Sequence, residues 1–237
     1  MTNLFETEIL SIKNHSSSLK SFEIAVPKEI DWNFLPGQYV DIAKLDEPTF
    51  FSGFSLTSIP SLTTKFSISI KKTSNPLTHY LFQCVTGDQI IVCGPSGDFT
   101  LDYNDHPKVV LLGGGIGVTP LISMFRTAIS HSKKPRVYFF QSAKTESDLL
   151  FYKEFQEAAK KYSNLSYYCT VTRESNWQGH TTRFTPDFLL NNITQQSYLD
   201  YDYYICGPGL MNSEFEKNLL EKGIKKNNLH LESYYEP

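Results

Sequence analysis

The sequence predicts two structural units in series: an antiparallel β barrel or sandwich, then a doubly wound parallel α/β sheet. Three observations predict this. Short strand-like runs separated by turn residues fill the first hundred positions. From Pro107 onward, continuous apolar strands alternate with helical spacing. Between the two lies a polar segment, DYNDHP (102–107), ending in a proline that a helix interior excludes. The boundaries that follow are 1–104 and 105–237.

In the first unit, strands are expected at 21–26 (SFEIAV), 39–43 (YVDIA), 65–72 (KFSISIKK) and 88–94 (DQIIVCG). The segments PKE, PGQ, SNP, TGD and PSGD punctuate them. Short strands at such spacing suit a barrel or sandwich. One short helix, LTHYLFQCV, interrupts the series. In the second unit, KVVLLGG (108–114) is apolar throughout, as a strand covered on both faces must be. A helix follows in GVTPLISMFRTAISH, with Leu121, Met124, Phe125 and Ile129 at helical spacing. Further strands are expected at 137–142, 165–171, 202–207 and 228–233, with helices at 147–162 and 212–223. Such alternation implies a parallel sheet with helices on both faces, and ligands then bind beyond the carboxyl ends of the strands.

Composition narrows the class. The chain has 237 residues, 40% hydrophobic and 20% charged, so it is long enough and apolar enough for a sizeable core. The net charge of −3 argues against a general nucleic-acid binder. No apolar run reaches the roughly 18 residues of a membrane span. The start, MTNLFETEIL, lacks a basic region followed by an apolar one and is not read as a secretory signal. Cys84, Cys93, Cys169 and Cys206 form no CxxC pair, and the histidines form no HExxH. No metal site is expected, and reduced thiols in an intracellular compartment are the simplest reading.

Two loops carry the chemistry. Gly113-Gly114-Gly115-Ile116-Gly117-Val118-Thr119-Pro120 follows a buried strand and opens a helix. Its glycines allow close approach of backbone to a ligand, and a helix N-terminus offers N–H groups to an anion. It is not the GxGxxG fingerprint, because the spacing differs and no acidic residue closes the next strand. Cys206-Gly207-Pro208 ends a second apolar strand that also runs into a helix. A polarizable thiol there could face a planar ring, or simply be buried structure.

Together with a terminus of type E-x-aromatic (Glu232-Ser233-Tyr234), these loops resemble the ferredoxin–NADP reductase superfamily. Pro36-Gly37-Gln38-Tyr39-Val40 is similar to its PGQ strand, and Gly94-Pro95-Ser96-Gly97-Asp98-Phe99 to its GPxGxF segment. SGFSLTS, SIKKTSNP, QSAKTESDLLF and YYICGPGLM look like the subgroup of oxidoreductase NAD-binding-domain-containing proteins. The resemblance implies an antiparallel Greek-key β barrel that binds flavin (FAD, with FMN possible), followed by a doubly wound sheet that binds NAD(P)H. It implies hydride transfer from NAD(P)H to the flavin and passage of electrons to an unnamed acceptor, protein or small molecule. A non-catalytic dinucleotide-binding or interaction protein is the alternative.

The resemblance also assigns residues. The family's R-x-Y-S/T flavin motif falls on Ser52-Gly53-Phe54-Ser55. Phe54 would pack on the ring, Ser55 would bond near its reactive nitrogen, and Leu56 continues the segment. Ser52 stands where the family has a phosphate-binding Arg. Ile70, Lys71 and Lys72 lie in the flavin-contacting strand, and the lysines are the substitute cations. Thr78 matches a helix-start hydroxyl that holds phosphate, or else is a plain cap. Gly114, Gly115, Ile116, Gly117, Val118, Thr119 and Pro120 would meet NAD(P)H. Cys206, Gly207 and Pro208 would flank the nicotinamide, with Met211 at its border and Tyr234 stacked over the flavin. Ser55 and Cys206 are the catalytic assignments. Arg173 fits a position seen with NADPH users, and Arg183 follows a loop like WxGxxGR (Trp177-Gln178-Gly179), which leaves NADH and NADPH both open. The compartment is open too: the start suggests cytoplasm, and the subgroup suggests mitochondria.

Overall fold

The structure, a computed structural model, describes residues 3–193 and 198–233. The first unit is a six-stranded antiparallel sheet of β1 (Asn3–Ser16), β2 (Leu19–Ala25), β3 (Tyr39–Lys44), β4 (Glu47–Ser55), β5 (Lys65–Lys71) and β6 (Gln89–Ser96), in the order β4-β3-β6-β1-β2-β5. It curls because β1 serves two neighbours. Its first half pairs with β6 (Asn3 to Gly94) and its second with β2 (Ile9 to Ile24), with an irregularity between Ile9 and Ser11. Such a bulge bends the strand and raises its twist. The curl brings edge strands β4 and β5 toward each other, where an isolated bridge joins Leu56 to Ile68. Helix α1 (Pro76–Gln83) connects β5 to β6. The core inside the curl includes Phe22, Ile42, Phe66 and Ile68, with Trp32 stacked on Phe66 at 4.8 Å between centroids.

The second unit is a five-stranded parallel sheet of β7 (Lys108–Gly114), β8 (Arg136–Ala143), β9 (Leu165–Val171), β10 (Asp202–Gly207) and β11 (Leu229–Ser233), ordered β11-β10-β7-β8-β9. Helices α2 (Thr119–Ser130), α3 (Tyr152–Lys161), α4 (Pro186–Asn191) and α5 (Gly209–Glu221) lie between the strands in sequence. The predicted class, an antiparallel Greek-key β barrel followed by a doubly wound parallel sheet, forms with the first sheet curled as a half-barrel.

Some local details differ from expectation. β1 reads weakly as a strand because its apolar residues are sparse, yet Phe5, Thr7 and Ile9 alternate inward while Leu4, Glu6 and Glu8 face solvent. β4, with Pro48 and Gly53, is an edge strand, where such residues are tolerated. α3 starts at Tyr152, five residues later than expected, because Phe151 takes a left-handed backbone (φ 58°). Arg126 holds that ring from one side, 4.1 Å from its centroid, and His15 meets it edge-on at 5.4 Å. α5 stops before Gly223, whose φ of 91° ends a helix readily.

Two contacts tie α2 to the segment that follows β4. Ser123 Oγ donates to the Ser58 carbonyl at 2.6 Å, and Arg126 Nη1 to the Thr57 carbonyl at 2.7 Å. The same guanidinium bonds Glu154 of α3 in bidentate fashion, both distances 2.7 Å. The two sheets are therefore joined by buried and charge-assisted bonds, the latter being the stronger kind.

His15 illustrates a titratable consequence. Its Nε2 lies 2.8 Å from Ser21 Oγ, which lies 2.7 Å from Ser69 Oγ. Burial first, and Lys13 second, lower its pKa from 6.5 to about 4. The unfolded chain therefore takes up a proton near pH 6.5 that the folded chain refuses until about pH 4. This contribution to stability is present above pH 6.5 and is lost as pH falls toward 4. Urea midpoints at pH 7 and about pH 4.5 test it: His15→Asn should show a smaller drop than the unsubstituted chain.

Candidate functional site

β7 and β10 are neighbours, with Cys206 in register with Gly113. β8 and β9 extend the sheet to one side of this pair and β11 to the other. The strand order thus reverses here, and such a switch point opens a crevice at the carboxyl ends. The two glycine-bearing loops meet in that crevice. A Cβ on Gly117 would lie 2.7 Å from the Cys206 carbonyl oxygen and 2.8 Å from the Gly207 nitrogen. A Cβ on Gly114 would lie 2.8 Å from Met211 Sδ, and one on Gly207 would collide with Met211 Cε. Side chains larger than hydrogen would separate the loops or fill the space over them.

Over the loops lies a cavity of about 890 Å³. Among the residues named from sequence, Lys71, Gly114, Gly115, Ile116, Arg173, Pro208 and Met211 line it. Lys144, Arg183 and Glu214 line it as well. Among the described residues four cations therefore surround this space against one carboxylate, which favours an anionic ligand. Lys71 belongs to β5, so the cavity reaches from the second sheet to the first. Sequence reasoning noted Arg183 but missed Lys144 and Glu214. Lys144 directly follows the end of β8, and that position at a strand's carboxyl end was the available signal.

At the base of the crevice, Cys206 is 3% exposed and its Sγ lies 3.8 Å from Glu232 Oε2. Register places them side by side, Cys206 opposite Glu232 on paired β10 and β11. Asn212 Nδ2, from α5, donates to the Glu232 carbonyl at 2.8 Å and fixes that strand end. Burial, then the nearby Glu232 carboxylate, raises the Cys206 thiol pKa well above its ordinary value, so the group stays a neutral thiol. Burial also raises the Glu232 pKa. The Tyr39 phenol on β3 is raised as well, by burial and by Asp41, Glu232 and Asp98.

A raised carboxyl pKa carries a sign. The folded chain keeps the proton when the unfolded chain has released it, so this stability is present at low pH and is lost as pH rises through the raised value. Glu232→Gln should accordingly be more stable than the parent at about pH 8 and no more stable at about pH 4, read by urea midpoints.

The residues assigned to flavin and to the dinucleotide divide into two groups. Phe54 and Ser55, at the end of edge strand β4, are partly exposed, and Phe54 rests against the first core. They offer a ring platform and a hydroxyl. The others correct the sequence reading. Leu56 and Ile70 are buried in the first core, and Val118 in the second, so none presents a surface to a ligand. Thr119 and Pro120 are buried, with the Thr119 hydroxyl donating to the Ile116 carbonyl at 2.9 Å. Gly117 and Cys206 are likewise enclosed and act on the crevice through packing. Thr78 is buried, and its hydroxyl donates to the Asn75 carbonyl at 2.8 Å. The α1 cap is Asn75, whose Oδ1 accepts from the Leu77 N–H at 2.9 Å. Lys72 lies over the Phe82 ring at 5.9 Å. Tyr234 lies outside the described residues.

Comparisons with known proteins agree with this geometry. Residues 111–217 match the family model of the oxidoreductase NAD-binding domain. A component of the Na(+)-translocating NADH-quinone reductase of Neisseria meningitidis serogroup C is 24% identical, over 93% of this chain and 57% of its own length. The flavohemoprotein of Oceanobacillus iheyensis is 28% identical, over 85% of this chain and 51% of its own length. The chain thus spans between half and three-fifths of these relatives. Among solved structures, an Amycolatopsis cytochrome P450 reductase superposes with a TM-score of 0.85 at 19% identity, covering 98% of this chain and 70% of that one. A ferredoxin NADP+ reductase from Neisseria gonorrhoeae, solved with bound FAD and NADP, gives 0.82 at 18% identity, covering 98% and 99%. Residues 111–217 thus match an oxidoreductase NAD-binding domain, and the whole fold, a curled antiparallel sheet followed by a parallel α/β sheet, is that of these solved structures.

Proposed function

We propose that this chain is an NAD(P)H-dependent flavin oxidoreductase that passes electrons to an acceptor outside itself. One observation carries the reading: two glycine loops meet at a strand-order switch beneath a cation-lined cavity that reaches the first sheet. The names of its relatives support it, since they include a component of an NADH-quinone reductase, a flavohemoprotein and the reductase component of a monooxygenase. The acceptor is accordingly a partner protein or a small molecule such as a quinone.

The dinucleotide fits the residues present. Backbone at Gly114 and Gly115 would lie against it, Pro208 and Met211 would border it, and Arg173, Arg183 and Lys144 would neutralise its phosphates. When both groups are bound, a reduced nicotinamide supplies a hydride and a flavin ring accepts it; the protein's part is orientation and exclusion of water. Phe54 offers the flat apolar surface and Ser55 a donor beside it. Cys206, enclosed beneath the loops, stays a neutral thiol, and burial raises the pKa of Glu232 beside it. An intracellular compartment suits the four free cysteines, none of them paired. No helix among the described residues is long and apolar enough to cross a membrane.

The test is oxidation of NADH and of NADPH by the purified chain, with and without added flavin, using an artificial electron acceptor. Flavin-dependent oxidation is expected. Dinucleotide binding with no oxidation under any flavin would instead favour a binding or interaction protein.

A further inference from the structure

The phosphate end of a flavin nucleotide finds little to bind beside Phe54. Asn75 Nδ2 donates to Ser52 Oγ at 2.8 Å, strapping α1 to edge strand β4 across the gap between the sheet's two edges. The turn before α1 also uses its own amides. Thr73 N donates to Thr78 Oγ1 at 3.1 Å, and Asn75 N to Thr73 Oγ1 at 3.2 Å. Leu77 N donates to Asn75 Oδ1 at 2.9 Å and Thr78 N to the Asn75 carbonyl at 3.1 Å, while Pro76 has no N–H to give. A helix N-terminus attracts anions through unbonded amides, and here the turn has satisfied them itself. The nearby lysines point elsewhere: Lys71 lines the dinucleotide cavity and Lys72 lies over Phe82.

The residues thus suit a flavin ring and do not suit a diphosphate. We propose that the chain takes flavin as a dissociable substrate, recognised by its ring system, with riboflavin, FMN and FAD accepted nearly alike. The proposal rests on the reading of the chain as an NAD(P)H–flavin oxidoreductase and names its substrate class. The balance closes without a further reagent. NAD(P)H gives up a hydride, the oxidised flavin takes it together with one proton from water, and NAD(P)+ and reduced flavin leave.

The test titrates the full chain with riboflavin, FMN and FAD, followed by quenching of flavin fluorescence. The three dissociation constants should fall within about tenfold of one another, a small spread on the affinity scale, and dialysis should strip the flavin. An FAD affinity more than about tenfold above that of riboflavin would overturn the proposal while leaving the oxidoreductase reading intact. Failure to bind any of the three would defeat both. A second arm removes the strap and adds a cation with the pair Ser52→Arg and Asn75→Gly. The ratio of FAD to riboflavin affinity should then rise by about tenfold or more, since a charge-assisted bond replaces a self-satisfied turn. An unchanged ratio in a folded variant would count against the strap, and a misfolded variant leaves the unsubstituted series to decide.

Discussion

Gly117→Ala should lower NAD(P)H oxidation by about a hundredfold, the loss that roughly 1 Å of misplacement produces in an oriented reaction. The added Cβ would sit 2.7 Å from the Cys206 carbonyl oxygen and 2.8 Å from both the Cys206 carbonyl carbon and the Gly207 nitrogen. All three are backbone atoms of a strand end, so no rotamer change relieves the contact. The glycine loop and the Cys206–Pro208 turn must move apart, and the cavity floor moves with them. Overpacking of this kind also destabilises by about 1–3 kcal/mol, so melting temperature is measured alongside rate. Gly87→Ala is the control. That turn position lies outside the cavity lining and has open space around it, while its φ of 94° strains the variant without touching the loops. Activity should survive there far better than at Gly117. Equal inactivation at both would show that loop packing is not what sets the site.

The second large effect is expected at Phe54. The ring lies at the end of β4, half-buried and resting on the first core. Phe54→Ala removes the aromatic surface of that segment's tip. Aromatic platforms under flat heterocycles contribute roughly 1–3 kcal/mol by alanine substitution. Flavin affinity should therefore fall by about tenfold to a hundredfold, with Phe54→Tyr restoring it. Dinucleotide binding, measured separately by calorimetry, should change little, because Phe54 does not line the cavity over the glycine loops. A loss of dinucleotide affinity equal to that of flavin would indicate collapse of the fold and not removal of a platform.

Much of this architecture was legible in the sequence because its signals are local. β10 occupies the residues its apolar run predicts, since both-face burial in a parallel sheet leaves an uninterrupted hydrophobic run, and β9, half-buried at the sheet's edge, also forms where expected. The glycine loops announce the crevice for the same reason: close approach demands glycine at particular positions. What remained hidden depends on pairings distant in the chain. Cys206 and Glu232 become a unit only through the register of β10 with β11. Ser52 and Asn75 meet only because the first sheet curls its edges together. The late start of α3 follows from where Phe151 packs, on His15 and Arg126, and no helix-propensity argument contains that information. The buried state of Leu56, Ile70 and Val118 has a similar origin. A motif places a residue near a ligand along the chain, while strand pleat and helix phase decide whether its side chain faces that ligand or the core.

On the proposed function, the cavity over Gly114 and Pro208 brings a reduced nicotinamide to a flavin ring on Phe54. Anaerobic rapid mixing of the full chain and oxidised flavin with NADH or NADPH tests it most directly, through the flavin's visible absorbance. Bleaching should require the protein, saturate with dinucleotide concentration, and slow about a hundredfold in Gly117→Ala. Bleaching no faster than in free solution, with both ligands shown to be bound, would contradict it.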